Sequence, residues 1–407
     1  MQYNFIICHY AEIGLKGKNR RFFEEGLIEN IKKSFILNSC DGLKNIKRIS
    51  GRILIQISGR HLSWLQAMTG KDNRMEEDRV RQALKNVFGI AYFSFAVDCK
   101  QNIGEIKKKS FEILKNKKFK TFRIETKRAE KDFSLTSQQI NQQTGEYVLR
   151  KLKAQNAKLK VNLGNPDITC FIEIVEKYAF LYLEKIKGLG GLPVSVSGKA
   201  ISLLSGGIDS PVASFYGMQR GIKIIFLHFT SYPFTEQASI EKVKKIVKIL
   251  NKFQFQSKLY LIPFLNIQKE ILLKTKAKLR VVLYRRFMFK IAEVLAKEER
   301  IKVLITGESV GQVASQTLEN IKVIQEATKL LILRPLIGMD KEDIIKKGKD
   351  IGTFDISILP AQDCCQRFLP KHPETRANLK KVEEEEKKLD VEKLIKEAVK
   401  KLKVEKI

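Results

Sequence analysis

One stretch near the middle of the chain, residues 200–220, constrains the fold more than any other. It reads AISLLSGGIDSPVASFYGMQR. The apolar run Ile201–Leu204 is typical of a buried strand, and Pro211 suits the first turn of a helix, where its missing N–H is not needed. The residues between them, 205–210, contain two adjacent glycines that can turn the chain sharply. The pattern therefore predicts a strand, a tight turn and a helix N-terminus in direct succession.

This succession is a geometry that binds phosphate. Backbone N–H groups converge at such a turn, and the helix dipole favours negative charge there. Gly206 and Gly207 let the backbone approach an anion closely, and the hydroxyls of Ser205 and Ser210 add donors. An ordinary strand-to-helix turn is the alternative. The motif SGGIDS is more specific, because it resembles the pyrophosphatase loop (PP-loop) of the N-type ATP pyrophosphatases, which split ATP into AMP and pyrophosphate.

The charge balance points to a polyanionic partner. Lysine and arginine number 76 against 45 aspartates and glutamates, a formal net charge of +31 at pH 7. Such an excess most often serves nucleic acid binding, and a lysine-rich genome composition is the alternative. No apolar run approaches the ~20 residues that span a bilayer, and the N-terminus lacks the basic segment of a signal peptide. We therefore expect a cytoplasmic protein without a membrane segment.

The cysteines give little sign of a metal site. There are six, and none forms a C-x-x-C pair, so neither a zinc ribbon nor an iron–sulfur site of that type is indicated. Only Cys364 and Cys365 stand out, because they are adjacent. The neighbouring cations Arg367, Lys371 and Arg376 would favour a reactive thiolate there. A pair of structural cysteines is the alternative.

The order of predicted elements divides the chain into five segments. Residues 1–75 and 76–187 are predicted as two small α/β units, and a glycine-rich linker follows over 188–198. Residues 199–376 alternate strands with helices, which favours a doubly wound parallel sheet, and residues 377–407 are predicted as one charged helix. The predicted strands of this sheet are 201–204, 223–229, 258–262 and 302–306. A ligand of such a sheet binds at the carboxyl ends of its strands.

Basic residues cluster at two places in the first half of the chain. Three follow the first predicted strand, in the segment EIGLKGKNR, and four surround one strand end in the second unit. The predicted RNA-binding residues are Lys16, Lys18, Arg20, Arg123, Lys127, Arg128 and Lys131. Few aromatic residues accompany them, which favours recognition of folded RNA through its shape and phosphates. Solvated basic turns are the alternative.

Several motifs in a fixed order give the chain a more specific resemblance. They are EIGLKGKNRRFFE, KRAEKDFSLTSQQIN, YLEKIKGLGGLPV, SGGIDSPVA, ITGESVGQVASQT, RPLIGMDKEDII and DCC. With these motifs the chain resembles the tRNA 4-thiouridine synthetases (tRNA sulfurtransferases) over roughly residues 1–376. The resemblance implies an α/β and α+β multidomain fold. It consists of a ferredoxin-like N-terminal domain, a THUMP RNA-binding domain, and a PP-loop ATP pyrophosphatase domain built on the doubly wound parallel sheet.

The resemblance also implies an activity. An enzyme of this family adenylates O4 of uridine 8 of tRNA with ATP and Mg²⁺, and pyrophosphate leaves. Sulfur delivered as a persulfide by a cysteine desulfurase then displaces AMP, giving 4-thiouridine. Adenylation is needed because oxygen alone is a poor leaving group. The resemblance implies a homodimer as well.

Carried over motif by motif, the resemblance implies a set of site residues. The ATP-binding residues are Leu203, Leu204, Ser205, Gly206, Gly207, Asp209, Ser210, His228, Phe229, Arg285, Gly307 and Gln316. The catalytic residues are Asp209, Lys341, Cys364 and Cys365. A plain core role is the alternative for the two leucines and His228. A basic helix face is the alternative for Arg285, and helix capping for Lys341.

Two features depart from the family pattern. Long members carry a rhodanese domain whose cysteine receives the persulfide, whereas one charged helix is predicted after residue 376, so we expect a short form. The sulfur then travels either on Cys364 or directly from the desulfurase. The thiamin thiazole role of the family goes with the extra domain and is not expected here. The linker, LPVSVSGK, also has Ser195 where glycine is expected.

Two other functions fit parts of the sequence. Another PP-loop ATP pyrophosphatase, acting on RNA or on a small molecule, would have the same loop, but the basic first half argues against a small-molecule enzyme. An RNA-binding protein with an inactive nucleotide domain would not need the loop intact. The chain nevertheless has all of its serines, glycines and Asp209.

Overall fold

The computed structural model describes residues 3–40, 42–57, 72–129, 132–154, 158–232, 237–360, 368 and 370–407. The predicted site residues Lys131, Cys364 and Cys365 lie outside the described residues. The chain contacts separate two units, Met1–Pro193 and Val194–Ile407, which are called the N-terminal and C-terminal units below. Among the described helices, none is both long and apolar enough to cross a membrane.

The N-terminal unit is built on a mixed sheet with helices. Its strands are β1 (Phe5–His9), β2 (Leu43–Ile49), β3 (Arg52–Ile57), β4 (Tyr92–Lys100), β5 (Thr121–Arg128), β6 (Lys160–Val161), β7 (Ile168–Val175), β8 (Tyr178–Tyr182) and β9 (Ile186–Lys187). Its helices are α1 (Arg20–Leu37), α2 (Asp72–Lys85), α3 (Ile103–Leu114) and α4 (Ser137–Lys153). The strand order is β2-β3-β1-β4-β8-β7-β5-β6, with β9 also paired to β4.

Strand β4 joins the two halves of this sheet. Its first part, from Tyr92 to Ala96, pairs antiparallel with β1, and its last part, from Val97 to Lys100, pairs antiparallel with β8. The sequence places a boundary at residue 75 and assigns all of β4 to the second half. In the structure the strand is shared, because nine extended residues are long enough to pair with different neighbours at their two ends.

Local sequence signals explain where the helices of this unit begin. Helix α4 starts with a capping box, in which the hydroxyl of Thr136 accepts from the N–H of Gln139 and the Gln139 side chain accepts from the N–H of Thr136. Helix α3 starts at Asn102, whose side-chain oxygen accepts from the N–H groups of Gly104 and Glu105. These caps satisfy N–H groups that have no partner inside the helix.

The C-terminal unit alternates strands and helices around a second sheet. Its strands are β10 (Lys199–Leu203), β11 (Lys223–Thr230), β12 (Lys258–Pro263), β13 (Val303–Ile305), β14 (Leu331–Leu333) and β15 (Lys403–Lys406). Its helices are α5 (Asp209–Gln219), α6 (Gln237–Gln254), α7 (Leu265–Lys274), α8 (Arg280–Glu298), α9 (Leu318–Gln325), α10 (Lys341–Ile351), α11 (Phe354–Ser357), α12 (Leu379–Glu386) and α13 (Val391–Lys400).

The strand order of this second sheet, β14-β13-β10-β11-β12-β15, indicates where a ligand can bind. The first five strands are parallel, with Ile201 of β10 opposite Ile225 on one side and Leu304 on the other. From β10 the chain builds outward in one direction through β11 and β12, and then returns to the other side of β10 through β13 and β14. The direction therefore reverses between β10 and β13, and such a reversal leaves a crevice at the carboxyl ends of the strands.

The core of the C-terminal unit lies between this sheet and its helices. Helix α8 contributes many of its residues, because apolar side chains occur on most sides of it; among the fully buried ones are Tyr284, Phe287 and Phe289. Helix α5 packs so closely on the sheet that a Cβ at Gly217 would lie 2.6 Å from Cδ1 of Ile305. This close packing holds the C-terminal half of α5 against β13.

The C-terminal segment differs from its prediction as a single helix. It forms two short helices, α12 and α13, and then the strand β15, which pairs antiparallel with β12. The helix is interrupted because Asp390 starts a new one, its side chain accepting from the N–H of Lys393 at 3.1 Å. Val382, Leu389 and Leu394 are buried in the core of the unit. The segment is therefore part of this unit's fold.

Candidate active site

The loop 205–210 is a tight turn held by its two serines. The N–H of Ser205 donates to Oγ of Ser210 at 2.9 Å, and the two hydroxyl oxygens lie 3.2 Å apart. The N–H of Gly207 donates to Oγ of Ser205 at 3.2 Å. Helix α5 begins at Asp209, so the loop passes directly into a helix N-terminus. This is the strand, turn and helix that the sequence predicts.

A set of buried hydroxyls ties the loop to the sheet. Oγ of Ser214, one turn into α5, donates to the carbonyl oxygen of Ser210 at 2.8 Å. The same hydroxyl lies 2.8 Å from Oγ of Ser202 on β10. Both Ser202 and Ser214 are completely buried. Because buried polar groups are held by their partners, this pair fixes the helix start against the strand.

Gly307 lies at the carboxyl end of β13, against the same helix start. A Cβ at this position would lie 2.8 Å from the backbone nitrogen of Ser210 and 2.9 Å from the carbonyl carbon of Asp209. These are backbone atoms, which cannot move aside as a flexible side chain can. A glycine is therefore needed for the two strand ends and the helix to meet.

A cleft of about 470 Å³ opens where β10 and β13 separate. All of the predicted ATP-binding residues line it except Gly206 and Gly207, which lie in the turn between lining residues. Those that line it are Leu203, Leu204, Ser205, Asp209, Ser210, His228, Phe229, Arg285, Gly307 and Gln316. The cleft thus has the loop at one side and the ends of β10, β11 and β13 at its base. Its position matches the topological rule for ligands of open α/β sheets.

The base of the cleft combines core and site roles. Leu203 and Leu204 are 8% and 2% exposed and also line the cleft, so their core role is compatible with the predicted contact to a nucleotide. His228 is buried, and its Nδ1 lies 2.8 Å from the carbonyl oxygen of Leu204. Since a carbonyl oxygen can only accept, Nδ1 is the donor. This hydrogen bond joins the ends of β10 and β11 beneath the cleft.

Asp209 is held from both sides at the start of α5. Nζ of Lys341 lies 2.6 Å from its Oδ1, and Nε2 of Gln312 donates to its Oδ2 at 2.8 Å. Lys341 is the first residue of α10, and Asp340 caps that helix by accepting from the N–H of Glu342 at 2.9 Å. Capping is therefore the role of Asp340, whereas Lys341 extends to the loop.

Arg285 enters the cleft from α8 and is paired with a buried carboxylate. Its Nη2 donates to Oε1 of Glu308 at 2.5 Å, and Nε of Arg334 donates to Oε2 at 2.7 Å. The hydroxyl of Thr306 donates to the same Oε2 at 2.9 Å. Burial by itself would raise the pKa of Glu308, but the charges and hydrogen bonds of the two guanidinium groups outweigh it and lower that pKa.

The described basic residues predicted for RNA binding are in the N-terminal unit, in different environments. Lys18 and Arg20 are exposed at the start of α1, where Arg20 donates to the carbonyl oxygen of Gly14 at 2.7 Å. Lys16 is half-buried, with Nζ 3.4 Å from Glu12 and 5.1 Å from the ring centre of Phe23. This short segment therefore has a defined shape with its cations at the surface.

The second basic group, on β5, is partly used by the fold. Lys127 is exposed. Arg123 is half-buried and bonds to Glu125 at 2.8 Å, and Arg128 donates to the carbonyl oxygens of Phe133 and Leu135 at 2.9 and 2.8 Å. Arg128 thus holds the segment before α4. The two carbonyl contacts give it a structural role that the sequence does not predict.

Comparison with known proteins decides the family. The model of the "Thiamine biosynthesis protein (ThiI)" family matches residues 195–391, that of the THUMP domain matches 98–184, and that of the "ThiI ferredoxin-like domain" matches 5–94. A "probable tRNA sulfurtransferase" of Caldanaerobacter subterraneus subsp. tengcongensis is 40% identical over 390 residues, 96% of each chain. Another, of Alkaliphilus oremlandii, is 42% identical over 409 residues, 99% of this chain and 98% of its own.

The chain belongs to the tRNA sulfurtransferase family. A solved structure agrees with this membership: the crystal structure of a 4-thiouridine synthetase–RNA complex with bound ATP is 37% identical, covers 100% of both chains and has a TM-score of 0.84. The ferredoxin-like, THUMP and PP-loop domains expected from the sequence are confirmed.

Three residues that surround the cleft are not identified from the sequence alone. They are Glu308, Gln312 and Arg334. The first two lie in the motif ITGESVGQVASQT, directly after β13, and the third begins RPLIGMDKEDII. Their position in these motifs is a signal that could have found them. The motifs do not show that Glu308 pairs with Arg285 or that Gln312 binds Asp209, because only the folded sheet brings these residues together.

The donor set of the cleft is suited to magnesium bound together with a nucleotide. Within the described ranges, no three His, Cys, Asp or Glu side chains gather into a metal site. Mg²⁺ usually keeps several waters and is bound by one or two carboxylates plus the phosphates of a substrate. Asp209 beside the loop provides such a carboxylate, since it lines the cleft and is partly exposed.

Proposed function

We propose that this protein is an ATP-dependent tRNA sulfurtransferase that converts uridine 8 of tRNA into 4-thiouridine. The observation that carries the proposal is the cleft at the switch point of the sheet, where the loop 205–210, Gly307 and the pair of Asp209 and Lys341 converge. Family membership supports the transfer of sulfur to tRNA. The ATP-bound and RNA-bound relative supports ATP and RNA as ligands of this chain.

The first step forms an adenylated base. O4 of the uridine attacks the α-phosphorus of ATP, the bond to the pyrophosphate oxygen breaks, and the proton on N3 is lost. The N-terminus of α5 and the hydroxyls of Ser205 and Ser210, which line the cleft, hold the departing pyrophosphate. Arg285 and Lys341 stabilise negative charge, because both are cations at or beside the cleft. When bound at Asp209, Mg²⁺ would offset phosphate charge.

The second step replaces oxygen by sulfur. The terminal sulfur of a persulfide attacks C4, and AMP leaves with the former O4, so that the base is joined to the carrier cysteine by an S–S bond. A second thiolate then attacks the carrier sulfur and breaks this bond. 4-Thiouridine is released, and the two thiol sulfurs are left as a disulfide that a further thiol reduces. We propose a cysteine desulfurase as the source of this sulfur. Cys364 and Cys365 lie outside the described residues, so their role in the relay stays a prediction from sequence. The persulfide is carried by Cys364 or delivered directly by the desulfurase.

The tRNA is expected on the N-terminal unit. Lys18, Arg20 and Lys127 are exposed there, and the chain carries a net charge of +31. Contacts of this kind bind phosphates with little dependence on base sequence. We also propose that the protein works in the cytoplasm as a homodimer, and we retain the predicted domain limits at residues 75, 187, 198 and 376.

Reconstitution tests the proposal. Purified protein, ATP, Mg²⁺, cysteine, a cysteine desulfurase and unmodified tRNA should yield 4-thiouridine, measured by mass spectrometry of nucleosides from the digested tRNA. A tRNA with cytidine at position 8 and the Asp209→Asn protein should both give none. If no 4-thiouridine forms although the desulfurase is active, the proposal is contradicted. Release of pyrophosphate from ATP at the same rate without RNA would instead favour a small-molecule substrate.

A further inference from the structure

The carboxylate of Glu308 is the buried charge of the cleft that the proposed chemistry does not use. It is 1% exposed, although it lies among the residues that line the cleft. Both of its oxygens are engaged, Oε1 by Arg285 and Oε2 by Arg334 and Thr306. A carboxylate held in this way by two guanidinium groups is ionised, and three of its about four acceptor positions are occupied. It is therefore poorly suited to act as a general base.

We infer that Glu308 is a positioning residue, which orients Arg285 toward the nucleotide and is itself held in place by Arg334. The inference rests on the proposed function, because it takes ATP as the ligand of the cleft. Arg285 has a long side chain with many rotamers, and fixing it in advance removes that entropic cost from nucleotide binding. The contact to Glu308 and the ring of Phe289, 5.8 Å from the guanidinium carbon, limit its freedom.

The charges of this cluster also favour an anion. Two guanidinium groups and one carboxylate leave one net positive charge. Of the two guanidinium groups, only that of Arg285 lines the cleft, and 23% of its side chain is exposed. The side chain of Arg334 is 12% exposed and does not line the cleft. A guanidinium has five N–H donors, so Arg285 can bind Glu308 and a phosphate at the same time.

Arg334 acts on the site only through Glu308. It follows the end of β14, where Nη1 donates to Oε1 of Gln325 at 2.8 Å and Nε donates to Glu308. The two contacts fix its guanidinium between α9 and the loop after β13. Loss of Arg334 is therefore expected to weaken nucleotide binding from a position that the nucleotide does not touch.

The neighbouring residue on α8 offers a matched control. Arg286 forms a buried bidentate pair with Glu386 of α12, with both N–O distances 2.9 Å, and neither residue lines the cleft. Glu308→Gln and Glu386→Gln thus each remove one buried carboxylate charge from an Arg–Glu pair whose arginine lies on α8. Both should lower thermal stability. Only the first should weaken the binding of ATP.

The experiment measures ATP binding to the full-length protein by isothermal titration calorimetry, without tRNA or desulfurase. Glu308→Gln and Arg334→Gln are each expected to raise the Kd for ATP by about 10- to 100-fold, the range for a charged hydrogen bond. Glu386→Gln should change it less than threefold. In a double-mutant cycle, Glu308→Gln should add little to the effect of Arg285→Lys, because both remove the same oriented guanidinium.

The outcomes separate this inference from the proposed function. Failure of the unmodified protein to bind ATP overturns the proposed function. Binding of ATP by the unmodified protein and equally well by Glu308→Gln overturns only the positioning role, as do additive effects in the cycle. If Glu308→Gln does not fold, the conservative Arg334→Lys decides. It keeps the charge but changes the donor geometry, and an unchanged Kd for ATP would contradict the inference.

Discussion

The side chains of Lys341 and Asp209 meet at 2.6 Å, although 132 positions separate them in the sequence. Each is the first residue of its helix, so the pair joins the N-termini of α10 and α5. Lys341 is 42% exposed and Asp209 22% exposed, so the pair lies at the surface of the unit beside the loop. An ion pair so exposed to water contributes little to stability, which favours a role in the reaction.

Lys341→Ala should therefore reduce activity far more than stability. We expect thiolation of tRNA to fall by about 100-fold or more, as when one group that stabilises transition-state charge is removed. The free energy of unfolding should change by less than about 1 kcal/mol. Thiolation rates and urea unfolding measure the two effects. Lys346→Ala, an exposed lysine of the same helix, should leave both unchanged. A large loss of stability with Lys341→Ala would assign the pair a structural role.

Gly307→Ala should damage the site through the backbone. The new methyl group would lie 2.8 Å from the nitrogen of Ser210, so the strand end and the helix start must move apart. A displacement of about 1 Å in a reacting group can cost 100-fold in rate, and overpacking costs about 1–3 kcal/mol. Gly338→Ala is the control, because a Cβ there meets nothing within 4 Å. Equal thiolation rates for the two variants would show that the close approach is unimportant.

Ser195→Gly should stabilise the protein. Ser195 has φ of 81°, in the left-handed region that favours glycine, and it is the position where the family pattern suggests glycine. The cost of this conformation for an ordinary residue is about 1–2 kcal/mol, so we expect a gain of about 1 kcal/mol. Gly198→Ala, at φ 89°, should have the opposite sign. Thermal unfolding followed by circular dichroism measures both, and a lower melting temperature for Ser195→Gly would contradict the prediction.

Glu386→Ala should strongly destabilise the C-terminal unit. The change would leave the guanidinium of Arg286, 3% exposed, without its bidentate partner. Breaking a buried pair in this way costs about 3–5 kcal/mol. Glu29→Ala, which removes an exposed helical pair with Lys33, should cost less than about 0.5 kcal/mol. Urea unfolding compares the two. Similar unfolding midpoints would mean that the terminal segment does not stabilise this unit.

Glu173 should make the N-terminal unit sensitive to acid. Burial alone would raise its pKa, but hydrogen bonds with His9 and Tyr182 and the charge of Arg52 outweigh this and lower the pKa to about 2. Its pKa before folding is 4.5, so the ionised carboxylate stabilises the fold above pH 4.5, and this contribution disappears as the pH falls toward 2. The shift corresponds to about 3 kcal/mol.

The variant Glu173→Gln tests this contribution. Its stability should be lower by about 3 kcal/mol at pH 7, and the difference from the unmodified protein should shrink between pH 4.5 and 2. The control Glu25→Gln removes an exposed carboxylate of the same unit, which is 54% exposed and paired with Arg21. Unfolding curves at several pH values measure the effect. A difference that stays constant over this pH range would contradict it.

Much of the fold could be predicted because its signals are local. Helices α3 and α4, for example, begin after the capping residues Asn102 and Thr136, which can be recognised in the sequence itself. The four predicted strands of the parallel sheet agree within two residues at each end, because buried apolar runs are bounded by turns. The fifth parallel strand, β14, was not predicted, since it has only three residues. The prediction of the terminal segment as one helix was wrong. The break at Asp390 is a local N-cap that the prediction did not use, whereas the pairing of β15 with β12 depends on a strand elsewhere in the unit.

By itself, the sequence determined the loop, its place between a strand and a helix, and the family to which the chain belongs. These follow from short motifs in which each residue acts on its near neighbours. Only the tertiary structure decided which distant groups meet that loop: Lys341 and Gln312 on Asp209, and Glu308 and Arg334 behind Arg285. The physical reason is that strand order and helix packing bring these residues together, and neither is encoded in the spacing of a single motif.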